Sequence, residues 1–390
     1  MILTKYFKEF FRSSKSSGIV LIFCVAISLM IANSSFAKNF QNLLDKEIGI
    51  GFFSLKYSVS IWINDGLMAI FFLLAGLEIK RELAGGELSN FKKASLPIFA
   101  AIGGMLVPAL IFLIFNFKTP YSKGWGIPMA TDIAFSLAIL STLGKRVPAS
   151  LKIFLAALAI VDDLGAIIVI AVFYSGEIRW NDLGFSVLIF LILILFNYLK
   201  IKKLIFYIVP GILLWYFVHH SGVHAAISGV LLAFTIPSEG FKTKISPLKK
   251  LEHRLHFPVN FFIMPLFALA NTNITFTAKI SESLFSSVGL GIIFGLFAGK
   301  ILGINLFSWL AVKLKLSKIP SNIGRTQMLG VGFLAGIGFT MSIFMAMLSF
   351  KNSPEILEEA KFAVLTASVL SGIFGYFVLR NGWGCKVIKL

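Results

Sequence analysis

The chain has 390 residues, of which 57% are hydrophobic and only 14% charged, and its mean hydropathy is +0.88. Soluble domains carry about 25% charged residues, so a water-facing surface of ordinary size is excluded. The 36 basic and 18 acidic residues give a net charge of +18, which in a soluble chain would suggest nucleic acid. Here the basic residues sit in short gaps between apolar runs, so a membrane-topology signal is the simpler reading and no nucleic-acid partner is expected. Lipid offers no hydrogen bonds to the backbone, so only helices or a closed barrel can span it. The apolar runs are too long and continuous for barrel strands. The fold class expected is an all-α polytopic membrane protein forming one integral-membrane domain over 1–390.

A span needs about 20 apolar residues. Twelve candidates lie along the chain: 18–36, 58–79, 95–117, 124–143, 150–175, 183–199, 204–218, 222–237, 257–272, 286–311, 326–350 and 362–379. The first comes after a basic stretch (Lys5, Lys8, Arg12, Lys15) and precedes Ser34–Ala37, a pattern shared by cleavable signal peptides and by uncleaved first helices. Segment 38–57 is the longest outside loop and a candidate hairpin; 238–256 is the main inside loop. Loops on one side hold 26 Lys and Arg, those on the other side 9, which puts both termini in the cytoplasm. Cys24 and Cys385 lie far apart and give neither a disulfide framework nor a zinc spacing. No nucleotide-binding glycine pattern appears, and no cofactor is expected.

Ionisable residues inside a span cost free energy and need a reason. Asp65, Asp132, Asp162, Asp163 and Lys300 stand inside; Glu78 lies near a helix end. Asp162 and Asp163 occur in an apolar run with no other charge from Phe154 to Gly176. On a helix they point about 100° apart, so one can pair while the other faces a cavity. Burial and a like-charged neighbour both favour the protonated form of a carboxylic acid, as a proton carrier requires. A structural ion pair is the plain reading of one such residue; two adjacent ones favour function.

Asp132 closes the run Gly126-Ile127-Pro128-Met129-Ala130-Thr131-Asp132, where glycine and proline interrupt the helix. Glycines 330, 332, 336 and 338 interrupt the span that contains Thr340. Two broken spans in corresponding places point to a midplane binding site, though each alone could be a kink. Carboxylate, hydroxyl and freed carbonyls suit a hard cation such as Na+. Lys300 comes after glycines 291, 295 and 299, a flat face for close helix packing, and its natural partner is a buried carboxylate, Asp162 first. His220 and His224 share the i, i+4 spacing of some zinc sites but have no evident third ligand. His224 reads better as a polar or proton-responsive group. Glu78, Lys80, Arg81 and Glu82 with Lys249, Glu252, His253, Arg254 and His256 read either as topology charges or as a pH-sensitive funnel.

The runs Phe71–Leu83, Ile127–Phe135 and Ala159–Gly165, with Ser221-Gly-Val-His224, Lys300 and Gly336–Ser342, resemble the NhaA sodium/proton antiporters over nearly the whole chain. That family is an established example of inverted-repeat transporters. The resemblance implies repeat halves near 95–175 and 286–380 and a bacterial inner-membrane location. It implies Asp163 as the main Na+, Li+ and H+ site, with Asp162 beside it and Thr131 offering a hydroxyl. Asp132 and Lys300 would balance the broken-helix ends. Glu78, Arg81, Glu82, Lys249, Glu252, His253 and His256 would respond to pH, and Asp65 and His224 would tune activity. Thr340 corresponds loosely to Thr131. A homodimer through 43–57 and contact with membrane lipid complete the implied partners. Two other classes fit the charges less well. An intramembrane aspartyl protease needs carboxylates facing across one water, and a cation channel would not keep Lys300 at its centre.

Overall fold

The computed structural model describes residues 14–51, 55–238, 246–319 and 323–381. Lys5, Lys8, Arg12, Cys385 and positions 52–54 of the candidate hairpin lie outside these residues. Helix α1 (Ser14–Ala32) leads into the short amphipathic α2 (Ala37–Asp45) and the antiparallel strands β1 (Glu47–Ile50) and β2 (Leu55–Ser58). Next come α3 (Val59–Gly85), α4 (Phe91–Phe115), a 3₁₀ stretch (Pro120–Met129), α5 (Ile133–Thr142), α6 (Ala149–Phe173), α7 (Trp180–Tyr198), α8 (Ile205–His220) and α9 (Ala226–Thr235). The second half holds α10 (247–271), α11 (Ser287–Lys313), α12 (Arg325–Ala335), α13 (Phe339–Ser349) and α14 (Pro354–Asn381).

Among the described residues, α3, α6, α7, α11, α14 and most of α4 are long and apolar enough to cross a membrane. The pairs α1/α2, 3₁₀/α5 and α12/α13 also pass, bent by 111°, 40° and 44°. Only the last two are broken spans in the expected sense, since α2 is a polar helix with one buried residue, Leu44. The expected inside loop 238–256 is corrected in part. Ser246 Oγ accepts from Lys249 N–H at 3.3 Å and Pro247 takes the first helical position, so a helix starts there and runs unbroken to Asn271. The expected hairpin in 38–57 is present, with Glu47 opposite Ser58 and Ile50 opposite Leu55.

The chain divides into two compact units. One unites 87–166 with 274–390 and the start of the chain. Its axis is α4 against α11. A Cβ on Gly303 would lie 2.1 Å from the Gly103 carbonyl oxygen, so these backbones touch and only glycine fits. Gly299 also lies close to Pro108 of α4, where a Cβ would sit 2.9 Å from the proline Cα. The other unit unites 24–86 with 167–273. Its core is Leu77, Leu193, Tyr207, Leu214, Leu232 and their neighbours. There Lys80 Nζ donates to Phe234 O and Ile236 O at 2.6 and 2.5 Å, and Asn197 Nδ2 donates to Thr235 O at 2.5 Å. Side chains thereby satisfy carbonyls at the end of α9 that a helix leaves open.

Candidate ion-binding site at the crossing of two broken helices

Each broken span leaves backbone groups without an intrahelical partner. In the first unit the two breaks answer each other. Ser136 Oγ donates to Leu334 O at 2.7 Å, Thr131 Oγ1 to Ala335 O at 2.8 Å and Asp132 N–H to Ile337 O at 2.7 Å. In return Ser342 Oγ donates to Ile127 O at 2.8 Å. Asp132 serves both second halves at once. Its Oδ1 accepts from Phe135 N–H at 3.0 Å, capping α5, and its Oδ2 accepts from Thr340 N–H at 3.3 Å and Thr340 Oγ1 at 2.5 Å in the first turn of α13. One carboxylate thus faces two positive helix ends. That explains why the second break needs no acid of its own.

Lys300 enters from α11, directly after the π-turn Gly295–Gly299. It is wholly buried. Its Nζ donates to Asp162 Oδ2 at 2.5 Å and to Thr131 Oγ1 at 2.9 Å. Thr131 Oγ1 also lies 2.7 Å from Asp162 Oδ2, so its single proton goes either there or to Ala335 O. Asp162 Oδ1 is buried with no hydrogen-bond partner among the described residues. Asp163 is buried beside it at 3% exposure, and its charge also reaches Lys300. Helix α6 is held at this depth by Gly165, where a Cβ would meet Met105 Sδ of α4 at 2.2 Å. Asp162, Asp163, Thr131, Asp132, Lys300 and Thr340 therefore belong to one unit. The oxygen atoms there suit a hard monovalent cation, with Lys300 as the competing positive charge.

The remaining candidates lie in the second unit, in two groups. Arg81 pairs with Glu252 through Nη1 and with Glu82 through Nη2 at 2.9 Å. Glu78 feels Glu252, Arg81 and Glu82 electrostatically, and Lys249 and His253 act on Glu252. Asn260 Nδ2 lies 3.1 Å from His256 Nδ1. Burial pushes the Glu252 carboxyl above the ordinary carboxylate range, against the opposing pull of Arg81.

The second group centres on Asp65, in the π-turn Trp62–Leu67 of α3. His219 Nδ1 and His224 Nε2 lie 3.5 and 3.6 Å from its two oxygens. His220 turns elsewhere, with Nδ1 donating to Tyr216 O at 2.8 Å and Nε2 3.5 Å from Tyr57 Oη. The His220–His224 spacing is thus no shared ligand set. Among the described residues no three His, Cys, Asp or Glu side chains are placed to hold a metal ion. Sequence reasoning missed His219, Ser136, Ser342 and Ser368. Small polar residues in apolar helices were the available signal.

The sequence profile described as Na+/H+ antiporter 1 matches residues 8–379. The chain belongs to that family. Two relatives come from Flavobacterium species. The Na(+)/H(+) antiporter NhaA 2 of Flavobacterium johnsoniae is 55% identical over 98% of this chain and 94% of its own length. The Na(+)/H(+) antiporter NhaA of Flavobacterium psychrophilum is 54% identical over 97% of each. The Na(+)/H(+) antiporter NhaA of Citrobacter koseri, at 45%, covers 97% of this chain and 98% of its own. For a Na+/H+ antiporter 1 member, an intramembrane peptidase is no longer a competing class.

Proposed function

We propose that this chain exports Na+ or Li+ from the cytoplasm in exchange for inward H+, electrogenically and with activation at alkaline pH, in the bacterial inner membrane. It is a secondary transporter rather than an enzyme. The observation that carries the reading is the buried knot of Lys300, Asp162 and Thr131 beside Asp163, set where two broken helices cross. Carboxylate and hydroxyl oxygens there, with Asp162 Oδ1 lacking a partner among the described residues, suit a cation stripped of water. A lysine on the same carboxylate gives that cation a positive rival.

Protons and Na+ compete for Asp163 in this scheme. When Asp163 is protonated the cation cannot bind. When it ionises, Na+ or Li+ takes Asp163 with Asp162 and the Thr131 oxygen, and Lys300 leaves Asp162. Two protons returned for one cation carry net charge, and each charge moved couples to about 2.3 kcal/mol per 100 mV. Asp132 and Lys300 compensate the broken-helix ends, and Thr340 steadies Asp132. Glu78, Arg81, Glu82, Lys249, Glu252, His253, His256 and His224 respond to pH, and Asp65 is auxiliary.

The architecture proposed is twelve spans with both termini inside. Helices α8 and α9 and the apolar part of α10 from Phe257 onward supply the three beyond the longer candidates. An inverted repeat of 95–175 and 286–380 is supported by the reciprocal bonds between the two breaks and by their presence in one unit. The hairpin in 43–57 is the proposed homodimer contact.

Asp163→Asn is expected to abolish exchange. Inverted vesicles carrying a pH-sensitive dye report it, since Na+ or Li+ should dequench the dye for the native chain and leave it quenched for the variant. Native-level dequenching with Asp163→Asn would overturn the assignment.

A further inference from the structure

Helix α14 borders the crossing and supplies two hydroxyls that the exchange scheme does not use. Ser368 Oγ accepts from Phe339 N–H at 3.1 Å and so caps the first residue of α13. Ser371, about one turn later, is 0% exposed, and its Oγ has no hydrogen-bond partner among the described residues. It faces the second break. A Cβ on Gly336 would lie 2.8 Å from Ser371 Oγ and 2.5 Å from Leu296 O. The φ of Gly336 is an ordinary −71°, so glycine is required there by space and not by backbone conformation. Leu296 belongs to the π-turn that ends at Gly299 and aims Lys300 at Asp162.

A π-turn carries one residue more than an α-turn, and closing it to α would rotate the helix beyond it by about 100°. Lys300 is the next residue, so this turn sets whether its amine points at Asp162. A buried hydroxyl without a partner is unfavourable, and an alanine would suit Ser371 better in the conformation seen. The hydroxyl makes sense if it is bonded in another conformation, and the nearest rearranging backbone is the turn beside it. We propose that Ser371 is a positioning residue of the exchange. Its hydroxyl donates to the carbonyls of the Gly295–Gly299 turn, Leu296 first, once Lys300 has left Asp162. It thereby favours the cation-bound state. The inference rests on the Na+/H+ exchange reading and adds to it a residue outside the charged set.

Ser371→Ala tests it, with native protein and Ser368→Ala run beside it. Two quantities are read: the apparent KM for Na+ from dye dequenching in inverted vesicles, and the melting temperature of the purified protein with and without Na+. Ser371→Ala should raise the Na+ KM by about 3- to 10-fold, the scale of one neutral hydrogen bond. Its melting temperature without Na+ should not fall, because no bond is lost in that state, while its stabilisation by Na+ shrinks. Ser368→Ala, which removes a bond present here, should melt lower in both conditions. An unchanged KM in Ser371→Ala overturns the proposal. So does a raised KM accompanied by a lower Na+-free melting temperature, which would mark a merely structural residue. Absence of Na+-driven dequenching in the native chain would instead remove the exchange reading, and this proposal with it.

Discussion

Lys300 and Asp162 make a costly contact, because both side chains are removed from water entirely. Such a pair returns little net stability against apolar replacements, yet removing one partner strands the other charge. Lys300→Ala should therefore destabilise the protein by about 3–5 kcal/mol, and Asp162→Asn should destabilise it as well. The double variant should lose much less than the sum, since neither charge remains. Denaturant unfolding of the purified protein measures all three, and additive losses would mean that the two groups do not depend on each other. Thr131 shows how far one hydroxyl is shared, with three partners and one proton. Of this cluster, Lys300 and the carboxylates could be read from the sequence because a charge in an apolar run is conspicuous. The serines could not, because a hydroxyl in a helix usually turns back to its own carbonyls, as Ser186 does to Leu183 O. Only the neighbouring break decides that Ser136 and Ser342 do otherwise.

The helices are ordered by where glycine lets backbones meet. Gly303 and Gly104 lie on the same α4–α11 contact but differ in what an added methyl would strike. At Gly303 it would meet the Gly103 carbonyl at 2.1 Å, a backbone atom that cannot move without the helix. At Gly104 it would meet only side-chain atoms, Ile304 Cγ1 at 3.0 Å and Cδ1 at 3.5 Å, which give way by a few tenths of an ångström without moving the helix. Gly303→Ala should cost about 1–3 kcal/mol, as overpacking does, and Gly104→Ala markedly less. Melting temperatures of the two variants give the comparison, and equal values would refute the contact. The glycine spacing made this face visible beforehand, and glycine and proline at 126–128 and 330–338 marked both interruptions. The 3₁₀ winding of Pro120–Met129, the π-turns Trp62–Leu67, Val259–Ile263 and Gly295–Gly299 and the unbroken run 247–271 were not visible. No local residue pattern distinguishes them from ordinary helix, and they depend on neighbours that close or widen each turn. The hairpin was suggested only by loop length, as its strands 47–50 and 55–58 are too short for a firm pattern.

Across the whole molecule the +18 charge is spread over loop ends, and few acids lie among them in buried positions. Glu252 is one, 8% exposed and paired with Arg81. Its carboxyl titrates above the ordinary value of 4.5 because burial outweighs Arg81. The folded protein therefore holds this proton more tightly than the unfolded chain does. By linkage, its contribution to stability is fully present below 4.5 and declines as pH rises toward the raised value. Glu252→Gln has a similar shape and no titration. The variant and the native chain should melt alike at the acid end, and the variant should gain relative to the native chain as pH rises. Melting temperatures across that range test this, and a relative loss for Glu252→Gln would mean that the Arg81 pair outweighs burial. A state that relieves the ionised Glu252 is favoured increasingly as pH climbs, by as much as the two states differ in proton affinity. Alkaline activation needs only that the relieved state be the exchanging one. Glu252→Gln should then show exchange whose pH profile is flatter than the native one in the same vesicle assay, and an unchanged profile would separate Glu252 from the pH response.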